Sequence, residues 1–258
     1  MATSDPTIKT TQAVDETGEG SSRILQTRGL TKRFGGLTAI DDVDFAVDAG
    51  ELRCLIGPNG AGKSTFLKLL TGRHDPSAGA IYYNGAELTD LPPYKRIDRG
   101  ISIKFQVPSV YPDLTVEENL RIPLQRVASK AEFEERTIET LEQFDLLEEI
   151  DTTAANLSHG QQQRLEIGMA MTLEPDLMLL DEPVAGLSVE ETEEIAELLV
   201  ELNDEDVAFI VIEHDIDFVA SIADRVTVLH QGDIFTEGTI EDVRSDPEVK
   251  KIYLGEDH

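Results

Sequence analysis

Glycines, then lysine, serine and threonine, stand in the order Gly57-Pro58-Asn59-Gly60-Ala61-Gly62-Lys63-Ser64-Thr65, a pattern whose residue types are suited to holding a nucleoside triphosphate. The glycines let the backbone curl so that successive N–H groups converge on phosphate oxygens, and a helix starting at Lys63 adds partial positive charge behind them. Lys63 is then placed for the β- and γ-phosphates, and Ser64 offers an oxygen to Mg²⁺. Alone, the pattern supports binding and no particular reaction; a glycine-rich turn ahead of a helix would read the same. A second constellation is Leu177-Met178-Leu179-Leu180-Asp181-Glu182-Pro183. It is an apolar strand ending in two carboxylates, at the edge of a sheet where ligands of open α/β folds bind. Asp181 suits a metal held through water, and Glu182 suits the polarising of a water that attacks a γ-phosphate. The competing reading is an acidic turn. Between the two stands Leu157-Ser158-His159-Gly160-Gln161-Gln162-Gln163, where Ser158 and Gln161 have the spacing of a helix capping box.

These groups need elements to aim them. Leu52 to Ile56 reads as a short buried strand leading into the glycines, and Lys63 to Leu70 as a helix ended by Thr71-Gly72. The capping box at Ser158 opens a helix running to about Leu173. Alternation of Val43, Phe45 and Val47 predicts a half-buried strand, and Asn84-Gly85 between Ile81-Tyr82-Tyr83 and Ala86-Glu87-Leu88 predicts a hairpin. Ser129 and Glu132 have capping-box spacing ahead of Phe133, Ile138, Leu141 and Phe144. Ser188 and Glu191 have it ahead of a helix over Val189 to Leu202, with Ile195, Leu198, Leu199 and Leu202 on one face and glutamates on the other. The strand Val207 to Ile212 ends just before Glu213-His214. Residues 1–22 carry almost no large apolar side chains and are expected to be disordered. Cys54, the single cysteine, excludes an internal disulfide and reads as a small buried strand residue.

Taken in order, the phosphate loop, the Ser-x-Gly-Gln-Gln segment and the strand ending Asp-Glu-Pro resemble the ATP-binding cassette (ABC) family. Further marks follow in sequence: Gln106 in Lys104-Phe105-Gln106, Ala185-Gly186-Leu187-Ser188, and His214 in Ile212-Glu213-His214-Asp215. The resemblance covers about residues 24–255. It implies an α/β fold, a P-loop NTPase core with an antiparallel β layer and an inserted helical subdomain over about 107–173, within one ATPase domain over 23–255. It implies ATP and Mg²⁺ as ligands, bound by Phe34 stacking on adenine, by Gly57, Asn59, Gly60, Ala61, Gly62, Lys63, Ser64 and Thr65 around the phosphates, and by Ser64, Gln106 and Asp181 around the metal. Glu182 and the switch histidine His214 take the catalytic roles. Phe34 as a core aromatic and His214 as a structural histidine are the plainer alternatives. Ser158, His159, Gly160 and Gln161 form the signature that faces a second subunit's triphosphate, with His159 where the commonest family form has glycine. One loop and one signature occur here, so a second ABC ATPase subunit, a copy or a paralogue, must complete each site.

Asp plus Glu number 51 against 22 for Lys plus Arg, a net charge of −29. Such a surface repels nucleic acid and anionic lipid, so no nucleic-acid partner and no direct membrane attachment are expected. No run of residues is long and apolar enough to span a bilayer, and no apolar signal segment begins the chain. The expected place is the cytoplasm, peripheral on the inner face of the membrane through permeases. A soluble ABC ATPase of ribosomes or DNA repair usually carries two cassettes or a long coiled-coil insertion, and neither occurs here. The segments Arg53 to Gly57, Phe105 to Val110, Leu157 to Met169, Pro183 to Leu187 and Lys251 to Gly255 resemble urea-type importer ATPases, a branch close to the branched-chain amino-acid importers. That resemblance implies transmembrane permeases as partners and an external solute-binding protein indirectly. Branched-chain amino acids or another amide are the alternative solutes. Acidic residues spread along the whole chain point to a halophile's cytoplasm, where salt screens self-repulsion. The thermal unfolding midpoint is therefore expected to rise with KCl into the molar range; indifference to salt, or a falling midpoint, contradicts that expectation.

Overall fold

Leu52–Ile56 and Ala208–Ile212 are buried at every position, as strands covered on both faces must be. The computed structural model describes residues 23–104 and 110–254, so the tail 1–22 and Gln106 lie outside the described residues. The first half contains β1 (Arg23–Phe34), β2 (Leu37–Asp48), β3 (Leu52–Ile56), α1 (Lys63–Leu70), β4 (Ala78–Tyr83), β5 (Ala86–Glu87), α2 (Pro93–Ile97), β6 (Ile101–Lys104), α3 (Val116–Val127) and α4 (Phe133–Gln143). The second contains α5 (His159–Met171), β7 (Leu177–Asp181), α6 (Val189–Asp204), β8 (Ala208–Ile212), α7 (Ile216–Ile222), β9 (Arg225–His230), β10 (Asp233–Gly238), α8 (Ile240–Ser245) and α9 (Pro247–Leu254).

Two sheets form among the described residues. One is antiparallel, ordered β2-β1-β4-β5; the other is ordered β10-β9-β3-β8-β7-β6, parallel except where β10 returns along β9. The period of two along a strand sorts the apolar runs onto two faces. Leu55, Leu177, Leu179, Ile210 and Ile212 face a core shared with α1 and the antiparallel sheet. Leu52, Cys54, Ile56, Met178, Leu180, Phe209 and Val211 face a second core with α3, α5, α6 and α7. Cys54 is fully buried, and burial pushes its thiol pKa far up, with Glu213 and Asp224 adding to the rise. Val43, Phe45 and Val47 are buried on β2 as the alternation predicts, and Asn84-Gly85 turns β4 into β5 with both residues at positive φ.

Between β6 and β7 the described residues hold α3, α4, two short 3₁₀ turns and α5, with no named strand. One local expectation fails there. Ser129 does not cap the following helix: Glu132 reaches back to Ser129 N and Oγ, but the Glu132 N–H bonds the Ser129 carbonyl, and α4 starts only at Phe133. The serine hydroxyl is spent on the glutamate, so the exchange that defines a capping box is half made.

The helix after the phosphate loop is closed by a residue the sequence did not single out. Arg96, fully buried, donates to the carbonyls of Leu69 and Leu70 at 2.9 and 2.7 Å, and to those of Leu91 and Thr89 at 2.9 and 3.0 Å. A cation at a helix C-terminus satisfies orphan carbonyls and complements the macrodipole. Burial lowers its pKa to about 10, with Asp75 opposing the shift, so it stays charged at neutral pH. Arg96→Met leaves those carbonyls buried without their donor and is expected to cost about 3 kcal/mol in chemical unfolding at fixed KCl. A loss below about 0.5 kcal/mol, the range of neutral surface changes, would show that α1 is held by packing alone.

Candidate functional site

Strand register builds the site. Leu55 on β3 pairs with Ile212 on β8, Ile212 pairs with Asp181 on β7, and Leu180 pairs with Lys104 on β6. The residues that follow, Gly57, Glu213 and Glu182, therefore leave the sheet along one carboxyl edge, and the chain departs β6 beside Asp181. That edge is where ligands of open α/β sheets sit.

The phosphate loop turns there from β3 into α1. Gly57 has φ 152° and a Cβ on it would stand 2.2 Å from the Leu229 carbonyl oxygen; Gly62 has φ 109° and a Cβ would stand 2.5 Å from that of Ala39. Only glycine lets the loop backbone pack this closely on β9 and β2. The Lys63 ammonium lies inside the curl, donating to the carbonyls of Gly57 at 2.5 Å and Pro58 at 3.3 Å. Burial lowers its pKa, and Glu182, Asp181 and Glu213 pull it back up. Asn59, Gly60 and Ser64 are exposed, and Ala61 and Thr65 are not.

Opposite stand the carboxylates. Asp181 is raised by burial first and by Glu182 next, while Lys104, Lys68 and Lys63 counter the shift. Glu182 has φ 48°, a left-handed conformation costing on the order of 1 kcal/mol. Its N–H bonds the Ile212 carbonyl at 2.9 Å, which locks the turn to the adjacent strand. Its Oε1 is 3.7 Å from His214 Nδ1, and that histidine is 63% exposed. Phe34 is 43% exposed at the end of β1, edge-on to His74 with ring centroids 5.4 Å apart, so it is a solvent-facing aromatic and not a core one.

Ser158 to Gln161 open α5, and the capping box forms: Ser158 Oγ accepts from the Gln161 N–H at 3.1 Å, and Gln161 Oε1 accepts from the Ser158 N–H at 2.9 Å. Ser158 and Gly160 bond Gln161 and Glu191 and make no hydrogen bond to the phosphate loop of their own chain. Ser64 and Asp181 are hard oxygen donors that fit Mg²⁺, and no cluster of three or more metal-binding side chains occurs among the described residues. A cation held here needs phosphate and water to complete its shell.

The model of the family described as ABC transporter matches residues 40–185. The chain belongs to the ABC transporter family. Among relatives, the high-affinity branched-chain amino acid transport ATP-binding protein BraF of Pseudomonas aeruginosa is 38% identical over 253 residues, covering 92% of this chain and 99% of that protein. Among solved structures, the ADP conformation of an ATP-binding cassette of an ABC transporter superposes with a TM-score of 0.83 at 33% identity, covering 91% of this chain and 99% of the other. A cassette solved as a dimer in a post-hydrolysis state with ADP and Pi has a TM-score of 0.73 at 28% identity, covering 84% and 98%. The fold is that of an ABC ATPase, and the cassette is an ATP hydrolase.

Glu213, Lys104 and Glu166 carry contacts to which the sequence assigned no role. Glu213, 1% exposed, accepts from the N–H of Val184 at 3.2 Å and of His214 at 3.0 Å, tying the turn after Glu182 to the one carrying His214. Burial raises its pKa, and the His214 and Val184 N–H bonds hold the rise down. Its signal was there, a carboxylate one residue past an apolar strand, as at Glu182. Lys104 and Glu166 form a buried ion pair at 3.6 Å between β6 and α5, marked in sequence only by a lysine ending an apolar strand. Glu191 joins α6 to the turn at Ser158. Glu213→Ala strands the buried Val184 N–H and the partly buried His214 N–H; about 2 kcal/mol of stability and most ATP turnover are expected to go together. Full turnover in the folded variant would separate Glu213 from the alignment of His214.

Proposed function

We propose that this cassette is the ATP-hydrolysing subunit of an importer, seated on the inner face of the membrane through its permeases. No helix among the described residues is long and apolar enough to cross a membrane. The observation that carries the hydrolytic reading is the meeting of Glu182 and His214, at 3.7 Å, on the sheet edge that also carries Lys63. Lys63 leaves the loop carbonyls for the β- and γ-phosphates, exchanging neutral acceptors for charged ones. Ser64 and, through water, Asp181 would hold Mg²⁺, with Gln106, outside the described residues, as the further ligand the family resemblance implies; the ion would supply positive charge to the phosphates. Glu182 takes the proton of the attacking water, and His214 orients that water and the γ-phosphate from the adjacent turn. Phe34 offers its open ring to the adenine. Ser158, His159, Gly160 and Gln161 serve a triphosphate held by a second cassette subunit, a copy or a paralogue; their lack of hydrogen bonds to the loop of their own chain supports this.

Two solute readings stand. Likeness to BraF over nine-tenths of the chain supports a branched-chain amino acid or related amide. The wording of Phe105 to Val110 and of Leu157 to Met169 supports urea. Either solute meets the permeases and not this chain. Removing this subunit from native cells and following uptake of labelled urea and labelled leucine decides between them, since loss of one alone names the solute.

Glu182→Gln keeps shape and hydrogen bonds but not the base. It is expected to retain ATP binding while turnover falls by about 10³, within the range for general-base removal. Lys63→Ala is expected to weaken ATP binding by tenfold or more, read by fluorescent-nucleotide titration. Near-normal hydrolysis in the first variant, or unchanged affinity in the second, would overturn the assigned role.

A further inference from the structure

One carboxylate holds two helix starts at once. Glu191 Oε2 accepts from Ser188 N and Oγ, each at 3.0 Å, closing the capping box of α6. Its Oε1 accepts from the Gly160 N–H at 3.0 Å and from the Ser158 hydroxyl at 3.3 Å, at the start of α5. Gly160 N–H is one of the donors that α5 cannot satisfy internally, and an anion is favoured there by the helix dipole. The approach depends on glycine, because a Cβ at residue 160 would stand 2.9 Å from Glu191 Cγ. The His159 ring lies nearby, its Nε2 3.9 Å from the position a Cβ added at Gly186 would take, in the segment that leads to Ser188. With its neighbours' N–H groups on it, Glu191 is held down to about 2, Ser188 N–H contributing most and Gly160 N–H next, so it is ionised at any working pH.

These are the donors that, on the functional reading above, serve the triphosphate of a facing cassette. We propose that Glu191 is a positioning residue that occupies Ser158 Oγ and Gly160 N–H in the separate subunit, and that its carboxylate must release them before the facing triphosphate can dock. An anion from the same chain thereby stands in for the phosphate. It keeps the signature turn shaped but closed to chance anions, and it ties release of that turn to movement of the Ala185 to Ser188 segment. The displaced carboxylate stays within reach of Ser188, whose bonds to Oε2 do not use the α5 donors.

The inference rests on the two-subunit site and can fail separately from it. ATP-driven dimerisation is measured by analytical ultracentrifugation in molar KCl, in Glu182→Gln chains so that ATP persists. Adding Glu191→Gln removes the charge while the amide oxygen can still cap α6, and should lower the ATP concentration at half-dimerisation by about tenfold, the size of one charge-assisted hydrogen bond. Adding Glu190→Gln instead removes a neighbouring charge that makes no such contact, and should leave that midpoint within about twofold, near the noise of one surface charge. Equal midpoints with and without Glu191→Gln, a rise, or the same drop with Glu190→Gln would overturn the inference and leave the two-subunit site standing. No dimer in any chain, alone or with a co-purifying cassette, would overturn both. Thermal midpoints of the three chains establish that each is folded, and a Glu191→Asp chain, shorter by one methylene and still charged, should keep the unshifted dimerisation midpoint.

Discussion

The contact on which the rest depends is backbone against backbone. At Gly57 and Gly62 the phosphate loop lies so close to the carbonyls of Leu229 and Ala39 that no side chain fits between them. Leu229 belongs to the mainly parallel sheet and Ala39 to the antiparallel one, so the loop is clamped between both. The turn after β9 completes the clamp: the Gly232 N–H bonds the Ala61 carbonyl at 2.9 Å, and the Gly232 carbonyl accepts from Asp41 at 2.8 Å. A loop fixed in this way keeps its N–H groups aimed without paying ordering entropy when an anion arrives. The antiparallel sheet is thus part of the anion site's frame and not an ornament on it.

Charge is managed locally against a hostile total. A chain with net charge −29 must still receive a polyanion. It gathers Lys63, Lys68 and Lys104 near enough to Asp181 to hold down the rise in its pKa, and it draws Glu213 into backbone hydrogen bonds. Burial pushes the two sides toward each other: Asp181 rises and Lys63 falls, so each is easier to neutralise than in water. That imbalance poises the edge for a charged ligand and not for an apolar one. The same logic governs Glu191, where an acidic residue is stabilised by helix ends in place of a cation.

The chemistry-bearing segments were legible because each combines a strict local pattern with a strict local geometry. Lys63–Leu70 and Leu177–Asp181 fall where the sequence put them, and Ser158 and Ser188 both close capping boxes. Ser129 shows the limit of that reasoning, since spacing predicts the exchange but not which partner the hydroxyl takes. Arg96 and Lys104 were not legible, and Glu213 offered only its place one residue past an apolar strand. Each is a charged residue that reads as surface by type and is buried by partners distant in sequence, such as Leu69 for Arg96 and Glu166 for Lys104. The long strands β1 and β2 were only partly visible, because their register shifts break the alternation that marks Val43, Phe45 and Val47. The sheet order that brings β3, β8 and β7 side by side follows from crossovers no local window contains.

The central claim is that the catalytic edge and the signature turn of one chain serve different sites, each finished by another cassette. Cross-linking tests it most directly, and Cys54 will not interfere, being fully buried with its thiol pKa pushed up. Chains carrying Asn59→Cys are mixed with chains carrying His159→Cys and oxidised with and without ATP, alone and in the complex with any co-purifying cassette. The account predicts a disulfide between different chains that forms with ATP and not without it. Absence of that interchain bond under both conditions, with both thiols shown to be reactive, would contradict it.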